Sequence, residues 1–200
     1  LTAEEQGHHV ILLERSAKLG GQLNWADYDD YKKELKAYRE YLIRQIAKSN
    51  VEVRLETEAT PEMIASLAPD DLILGLGAKF ITPRIPGVEY ARQAVTLYPE
   101  LDSAQGRFVI IGGGTVGCET AEWMLDAGKS VTIVEMSDRL MGKMVETTRF
   151  VLKAHLRELN CRELLNTRCV EIQDQAVVVE SAEGQQTIPA DNVIIAVGDR

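Results

Sequence analysis

Three glycines and one glutamate in the second half of the chain have the types and spacing of a dinucleotide-binding site. Gly112, Gly114 and Gly117 form a G-x-G-x-x-G motif between an apolar run and a helical pattern that begins Thr115-Val116. The first glycine permits a tight turn, the second lets the backbone approach a pyrophosphate, and the third allows close helix–strand packing. The helix N-terminus then offers free N–H groups to phosphates. A purely structural glycine turn is the alternative.

Glu135 completes the pattern and bears on the choice of cofactor. It lies 23 residues after Gly112, at the end of the next apolar run, close to the spacing of about 20 expected for the acid that binds the ribose. A carboxylate here accepts hydrogen bonds from ribose hydroxyls and repels the 2′-phosphate of NADP. Met136 and Ser137 bring no positive charge, and Arg139 is a helical turn away. We therefore expect NADH rather than NADPH.

These residues must be positioned by alternating strands and helices, which indicate parallel β-α-β units and an α/β fold. In the second half, strands are predicted at Arg107–Ile111, Ser130–Val134, Arg168–Ile172, Ala176–Glu180 and Asn192–Val197, and helices at Thr115–Ala127 and Val145–Leu159. In the first half, buried strands are predicted at His9–Leu13 and Asp71–Leu76, a strand at Val51–Leu55, a helix with one buried apolar stripe at Asp30–Ser49, and a short helix opening at Pro61.

An internal repeat divides the chain. Glu14 and Glu135, Gly77 and Gly198, and Gly7 and Gly128 are all pairs 121 residues apart. We therefore expect two Rossmann-like units with parallel sheets, a partial FAD-type unit at 1–95 and an NAD(H)-binding unit at 96–200. No residue corresponds to Gly112 in the first unit, so we expect that unit to lack its opening strand and glycine loop, and the chain to be a fragment. Exposed strand edges then suggest either a homo-oligomer or partial disorder in about the first 90 residues.

Composition narrows the function classes. The chain has 22 Lys+Arg and 31 Asp+Glu, a net charge of −9, which disfavours nucleic acids and anionic membranes as partners. It shows neither a membrane-spanning apolar run nor a signal peptide, so a cytoplasmic location is expected. Its three cysteines form no C-x-x-C pair, so we expect buried thiols and no metal site. No residue resembles a catalytic nucleophile or acid–base group, and His155 is interpreted as a surface histidine.

Four segments resemble the flavoproteins with two dinucleotide-binding domains, in which an NAD(P)H domain interrupts an FAD domain. They are ERSAKLGGQLNWA (Glu14–Ala26), DLILGLGAKFITPRIPG (Asp71–Gly87), VIIGGGTVGCETA (Val109–Ala121) and VEMSDRL (Val134–Leu140). Among these flavoproteins, the chain is most similar to the C-terminal half of the NADH:flavin oxidoreductases akin to Old Yellow Enzyme, the group that includes 2,4-dienoyl-CoA reductase. The resemblance covers essentially the whole chain.

The resemblance implies roles for single residues. Glu14 and Arg15 would lie against the adenosine part of FAD, and Gly21 and Gln22 near its phosphates or ribityl chain. Glu119 would lie near the nicotinamide, with an exposed acid in the first helical turn as the alternative. The remaining candidates for cofactor binding are Gly112, Gly114, Thr115, Val116 and Gly117 for the NAD pyrophosphate, Glu135 for the adenine ribose, and Gly198.

The chain departs from the family at two places. Gly75-Leu76-Gly77 stands where the family has Ala-Thr-Gly, which puts the approach of the backbone to the flavin in doubt. The family's C-terminal Gly-Asp flavin segment would fall beyond Arg200. In the family, a barrel that carries FMN and an iron–sulfur cluster lies upstream, and this chain contains none of its residues.

The resemblance implies a flavin-dependent oxidoreductase in which NADH passes hydride to FAD for reduction of an unsaturated or other acceptor. The isolated chain is expected to lack turnover. Alternatives on the same scaffold are an NADH oxidase, a glutamate-synthase-type small subunit or a disulfide reductase, the last disfavoured by the missing C-x-x-C. A different class of alternative is a docking module that binds ADP without redox function.

Overall fold

The computed structural model describes residues 1–26, 32–100 and 103–199, which form two compact units, Leu1–Gly77 and Ala78–Arg200. The second unit begins well before residue 96, because a short strand at Ala91–Gln93 pairs with its sheet. Within the described ranges, no helix combines the length and apolar character needed to cross a membrane.

The second unit is built on a five-stranded parallel sheet. In their order across the sheet, its strands are β3 (Ala91–Gln93), β10 (Asn192–Ile195), β4 (Arg107–Ile111), β5 (Ser130–Val134) and β6 (Arg162–Leu164). The helices of this unit are α5 (Ala94–Leu97), α6 (Thr115–Asp126) and α7 (Glu146–Glu158). The α/β class with a parallel sheet is confirmed.

The central strand β4 is buried on both faces, which explains its continuous apolar sequence. Because side chains alternate along a strand, Phe108 and Ile110 pack in one cluster with residues of α6 and α7, whereas Val109 and Ile111 pack in the other. That second cluster includes Ile172, Val177, Val179 and Ile188 from a separate three-stranded sheet.

This separate sheet is antiparallel and consists of β7 (Arg168–Gln173), β8 (Ala176–Ser181) and β9 (Gly184–Pro189). The sequence predicted β7 and β8 but not β9, whose sequence GQQTIP is mostly polar and exposed. It also missed β3 and β6, each only three residues long. The turn-rich stretch before β3 is packed against this sheet, since the Ile172 N–H donates to the Pro86 carbonyl at 2.8 Å.

The first unit has a two-stranded parallel sheet formed by β1 (Ile11–Leu13) and β2 (Glu52–Arg54). Its helices are α1 (Thr2–Glu5), α2 (Leu23–Ala26), α3 (Lys33–Lys48) and α4 (Pro61–Leu67). Proline opens α4 as predicted, and the Thr60 hydroxyl caps the helix by accepting the Met63 N–H at 3.3 Å.

The burial predicted for this unit is wrong. Strand β1 is half-buried rather than buried on both faces, and α3 has no buried side chain: of its predicted stripe, Leu35 and Tyr38 are exposed, and Leu42 and Ile46 half-buried. The first residues of the predicted helix, Asp30 and Tyr31, lie outside the described residues. A sheet of two short strands covers too little of the helix to bury a full stripe.

The predicted buried strand at Asp71–Leu76 is also wrong. These residues form no strand, and Leu72, Ile73, Leu74 and Leu76 are between 53% and 86% exposed. In the second unit the corresponding strand, β10, lies between β3 and β4 and is buried. In the described part of the first unit no strand corresponds to β4, so segment 71–76 has no neighbour with which to pair.

Candidate functional site

The glycine motif forms a tight loop between β4 and α6. Gly112 has a φ of 111°, and a Cβ there would lie 2.5 Å from the Ala196 carbonyl oxygen. A Cβ on Gly117 would lie 2.0 Å from the Gly112 carbonyl oxygen. These two glycines are therefore required by the close approach of helix, loop and neighbouring strand, as the motif predicts.

Gly114 differs from both of these glycines. It precedes the first residue of α6 with a φ of −71°, which any residue adopts, and a Cβ there would meet no atom within 4 Å. The space beside Gly114 is therefore open, at the N-terminus of a twelve-residue helix whose first two residues, Thr115 and Val116, are exposed. Unpaired N–H groups and the positive end of the helix dipole favour an anion there.

Gly113, the middle glycine, must also be a glycine for structural reasons, which the sequence did not indicate. A Cβ there would lie 2.4 Å from Leu140 Cδ2 and 3.0 Å from Glu135 Cβ. Its N–H donates to Glu135 Oε2 at 2.7 Å, and its carbonyl accepts the Met141 N–H at 2.7 Å. The unbroken run of three glycines was the only available signal, since the contacting residues lie more than twenty positions further along the chain.

Glu135 directly follows β5 and faces the glycine loop. Burial alone would raise the pKa of its carboxyl group, but hydrogen bonds from Ser137, Gly113 and Met136 together lower that pKa below its usual value. Glu135 is therefore a carboxylate at neutral pH, held against the loop and able to accept further hydrogen bonds.

Two other predicted residues belong to this unit. Gly198 is exposed with a φ of 99°, two residues after the Ala196 carbonyl that contacts Gly112. Glu119 is half-buried and is the fifth residue of α6, so its alternative interpretation as an exposed acid of the first turn is wrong.

The thiols of this unit are unsuited to nucleophilic chemistry. Burial raises the pKa of Cys118 far above its usual value, and it raises the pKa of Cys161 to about 12 and that of Cys169 to about 11. Cys118 is fully buried, as predicted, but Cys161 and Cys169 are only half-buried. Among the described residues no cluster of His, Cys, Asp or Glu could hold a metal ion.

His155 is not the plain surface histidine that the sequence suggested. Its Nδ1 lies 2.5 Å from Glu122 Oε1 and its Nε2 lies 3.6 Å from Asp126 Oδ1, so it joins α7 to α6. The hydrogen bond with Glu122 raises the pKa of the imidazole.

In the first unit, the predicted residues lie in two turns. Glu14 follows β1, and the Ser16 N–H donates to its Oε1 at 2.7 Å, which lowers the pKa of the carboxyl. Arg15 beside it is exposed. Gly21 and Gln22 are exposed in the turn before α2 and accept hydrogen bonds from backbone N–H groups of that helix.

Gly20 was not predicted as important in this unit. It has a φ of 119°, and a Cβ there would lie 2.8 Å from Asn24 Nδ2 and 2.9 Å from Arg39 Cδ. The glycine thus permits α2 and α3 to come together, with Arg39 Nη1 donating to Asn24 Oδ1 at 3.1 Å.

The second unit fits a dinucleotide. It offers an open position at Gly114, a helix N-terminus beside it and a carboxylate at the end of the next strand, all at the carboxyl edge of a parallel sheet. This edge is where open α/β sheets bind ligands. The fold and this site define a dinucleotide-binding α/β domain.

The chain belongs to the pyridine nucleotide-disulphide oxidoreductase family, whose sequence profile matches residues 22–200. Proteins of this family use FAD and NAD(P)H as cofactors. The chain is 36% identical over 202 residues to a bilirubin reductase of Mediterraneibacter gnavus, covering 99% of this chain and 31% of that protein. It is 35% identical over 207 residues to an NADH oxidase of Thermoanaerobacter brockii, covering 99% of this chain and 32% of that protein. The chain thus spans about a third of the length of these curated relatives.

A solved structure agrees with this assignment. A 2-naphthoyl-CoA reductase in complex with 2-naphthoyl-CoA matches with a TM-score of 0.86 and 29% identity, over 98% of this chain and 30% of that one. Histamine dehydrogenase from Rhizobium sp. 4-9 shares the fold, with a TM-score of 0.77 at 19% identity. The match covers 97% of this chain and 33% of that one.

Proposed function

We propose that this chain is the pyridine-nucleotide entry module of an NADH-dependent flavoprotein of the NADH:flavin oxidoreductase type. The observation that carries the proposal is the open position at Gly114 beside the Glu135 carboxylate. One site thus combines space for a pyrophosphate with an acceptor for ribose hydroxyls.

Each candidate residue of the second unit has a physical task in this proposal. The loop glycines keep the backbone close to the pyrophosphate, and the first turn of α6 directs its N–H groups at the phosphates. Glu135 binds the adenine ribose and disfavours a 2′-phosphate by charge repulsion. Glu119 and Gly198 complete the pocket on the nicotinamide side. The residues assigned to NADH are Gly112, Gly114, Thr115, Val116, Gly117, Glu119, Glu135 and Gly198.

The first unit is proposed to contribute part of an FAD site, with Glu14 and Arg15 near the adenosine and Gly21 and Gln22 near the phosphates or ribityl chain. Glu14 is already held in its turn by Ser16, which supports the assignment. The isolated chain is expected to lack turnover, since the described residues supply no glycine loop beside Glu14.

When the cofactors are bound, the reduced nicotinamide supplies the hydride and the flavin accepts it. The chain's own residues bind and orient: no described thiol is activated, and Glu135 is ionised. We assign no acid–base residue to this step.

The acceptor is proposed to be an unsaturated molecule. Three similar proteins are named as reductases of bilirubin, cinnamate and 2-naphthoyl-CoA, all conjugated compounds. Relatives about three times longer leave room for an upstream barrel with FMN and an iron–sulfur cluster. We further propose a cytoplasmic protein that forms homo-oligomers.

An NADH oxidase is the second candidate, favoured by the relative of that name. Anaerobic mixing of the longer protein with NADH should bleach its FAD absorbance under either candidate, and more slowly with NADPH. Addition of oxygen or of a conjugated enoate then distinguishes the two by which one restores the absorbance. A flavin that NADH leaves oxidised would contradict the proposed function.

A further inference from the structure

The Glu135 carboxylate is held at both of its oxygens. Oε1 accepts the Ser137 N–H at 2.8 Å and the Ser137 hydroxyl at 2.7 Å, while Oε2 accepts the Gly113 N–H at 2.7 Å. Ser137, in the turn after β5, therefore binds one carboxylate oxygen, and the glycine loop binds the other.

The turn that carries Ser137 is itself anchored. The Ser137 carbonyl accepts the Asn166 N–H at 2.9 Å, and the Glu135 carbonyl accepts the Thr167 N–H at 2.9 Å. The Ser137 hydroxyl also lies 2.8 Å from the Arg139 carbonyl oxygen, which competes for its single hydrogen. Ser137 is exposed, so its side chain contributes little to the core.

The first unit contains the same turn. The Ser16 N–H donates to Glu14 Oε1 at 2.7 Å, and the Ser16 hydroxyl lies 2.7 Å from the Lys18 carbonyl oxygen, as the Ser137 hydroxyl lies 2.8 Å from that of Arg139. The backbone anchors match, with Glu56 N–H to Ser16 carbonyl at 3.0 Å. The Ser16 backbone and side chain both lower the pKa of the Glu14 carboxyl, so the serine holds the acid in both units.

We infer that Ser137 is a positioning residue that fixes the Glu135 carboxylate and thereby sets the preference of the second unit for NADH over NADPH. The inference rests on the proposed function, because it concerns how the same site selects its cofactor.

The preference for NADH depends on how freely the Glu135 carboxylate can rotate. A fixed carboxylate binds ribose hydroxyls without a further cost of ordering, and its negative charge stays where a 2′-phosphate would approach. Without the Ser137 hydroxyl, the side chain gains rotational freedom. NADH then binds more weakly, whereas NADPH is repelled less because the carboxylate can turn away.

The test is calorimetric titration of the whole chain with NADH and NADPH for three variants. Ser137→Ala removes the hydroxyl and keeps the N–H bond, so the NADH:NADPH affinity ratio should fall about tenfold, the equivalent of one charge-assisted hydrogen bond. Ser137→Thr keeps a hydroxyl and should restore the ratio. Ser16→Ala, at the matching position, should leave the ratio unchanged.

Ser137→Cys provides a second substitution with a much weaker donor and should also lower the ratio, and thermal unfolding verifies that each variant is folded. Wild-type preference for NADH with an unchanged ratio in Ser137→Ala and Ser137→Cys would overturn the inference alone. A wild-type chain that binds neither dinucleotide would overturn the proposed function and, with it, this inference.

Discussion

Helix α1 in the first unit and helix α6 in the second end in nearly identical ways. The N–H of Gly7 donates to the Glu4 carbonyl at 2.9 Å, and the N–H of Gly128 donates to the Leu125 carbonyl at 2.8 Å. Both glycines have positive φ, 91° and 75°. Local turns of this kind depend on nearby residues only, so they form in both units.

The units differ where a feature depends on a strand elsewhere in the sheet. Glu135 is held by the glycine loop after β4, whereas in the first unit the described residues place no strand on the free edge of β1. The segment that corresponds to β10 is consequently exposed in one unit and buried in the other. The acid and its turn are therefore local features, whereas the nucleotide site requires the central strand.

The largest expected contrast is in hydrogen exchange. Amides of β10 should be protected by the global stability of the second unit, whereas amides of segment 71–76 should exchange almost freely, a difference of about 1,000-fold or more. Hydrogen–deuterium exchange mass spectrometry measures both segments in one experiment. Equal protection of β10 and segment 71–76 would mean that segment 71–76 forms a strand in the first unit, and that the two units do not differ here.

Gly117→Ala should produce the next largest effect. Its Cβ would lie 2.0 Å from a backbone oxygen, and such overpacking costs about 3 kcal/mol. Urea unfolding measures the loss. A variant as stable as wild type would show that the helix and the loop are less closely packed than described.

Gly114→Ala is the matched control and a prediction in its own right. Its Cβ meets no atom within 4 Å, so stability should change by less than about 0.5 kcal/mol. The methyl group occupies the space proposed for the pyrophosphate, so NADH affinity should fall about tenfold or more. Unchanged NADH affinity on calorimetry would remove Gly114 from the site.

Glu135→Gln and Glu14→Gln sharpen the comparison of the two acids. Loss of the charge at Glu135 should weaken NADH binding about tenfold and reduce the preference over NADPH. The same change at Glu14 should leave NADH binding as in wild type. Equal effects of the two changes would show that NADH does not select the second unit.

Substitution of His155 should have the smallest effect. The His155–Glu122 pair is partly solvated, so it should contribute less than about 1 kcal/mol to the free energy of unfolding. The raised pKa of His155 means that the ion pair stabilises the folded chain fully below the unfolded-state pKa of about 6.5, and that this stabilisation is lost as pH rises through the higher folded-state pKa. His155→Gln should flatten the pH dependence of urea unfolding above neutrality. If the unfolding free energy of His155→Gln still changes with pH as in wild type, other groups cause the pH dependence.

The sequence predicted best those elements whose environment is uniform. The runs RFVII and SVTIV are buried throughout, and their predicted bounds match β4 and β5 residue for residue. The prediction at 71–76 was wrong for the opposite reason, because an apolar run becomes a strand only beside a partner. Strand β9 was missed because its single buried residue, Ile188, leaves almost no pattern.

The candidate site was predictable in part. The motif spacing brought Gly112, Gly117 and Glu135 to the same edge of the sheet, as observed. The roles of Gly113 and Ser137 were not predictable, because they depend on contacts with the Glu135 side chain that only the folded loop creates.

The most direct test of the central claim is parallel calorimetric titration of the chain with NADH, NADPH, ADP and FAD. We predict that NADH binds more tightly than NADPH and ADP, and that FAD does not bind, because among the described residues only those of the second unit form a complete nucleotide loop. Equal affinity for ADP and NADH would rule out a nicotinamide site and indicate a docking module without redox function. Absence of all binding would show that the glycine loop is structural.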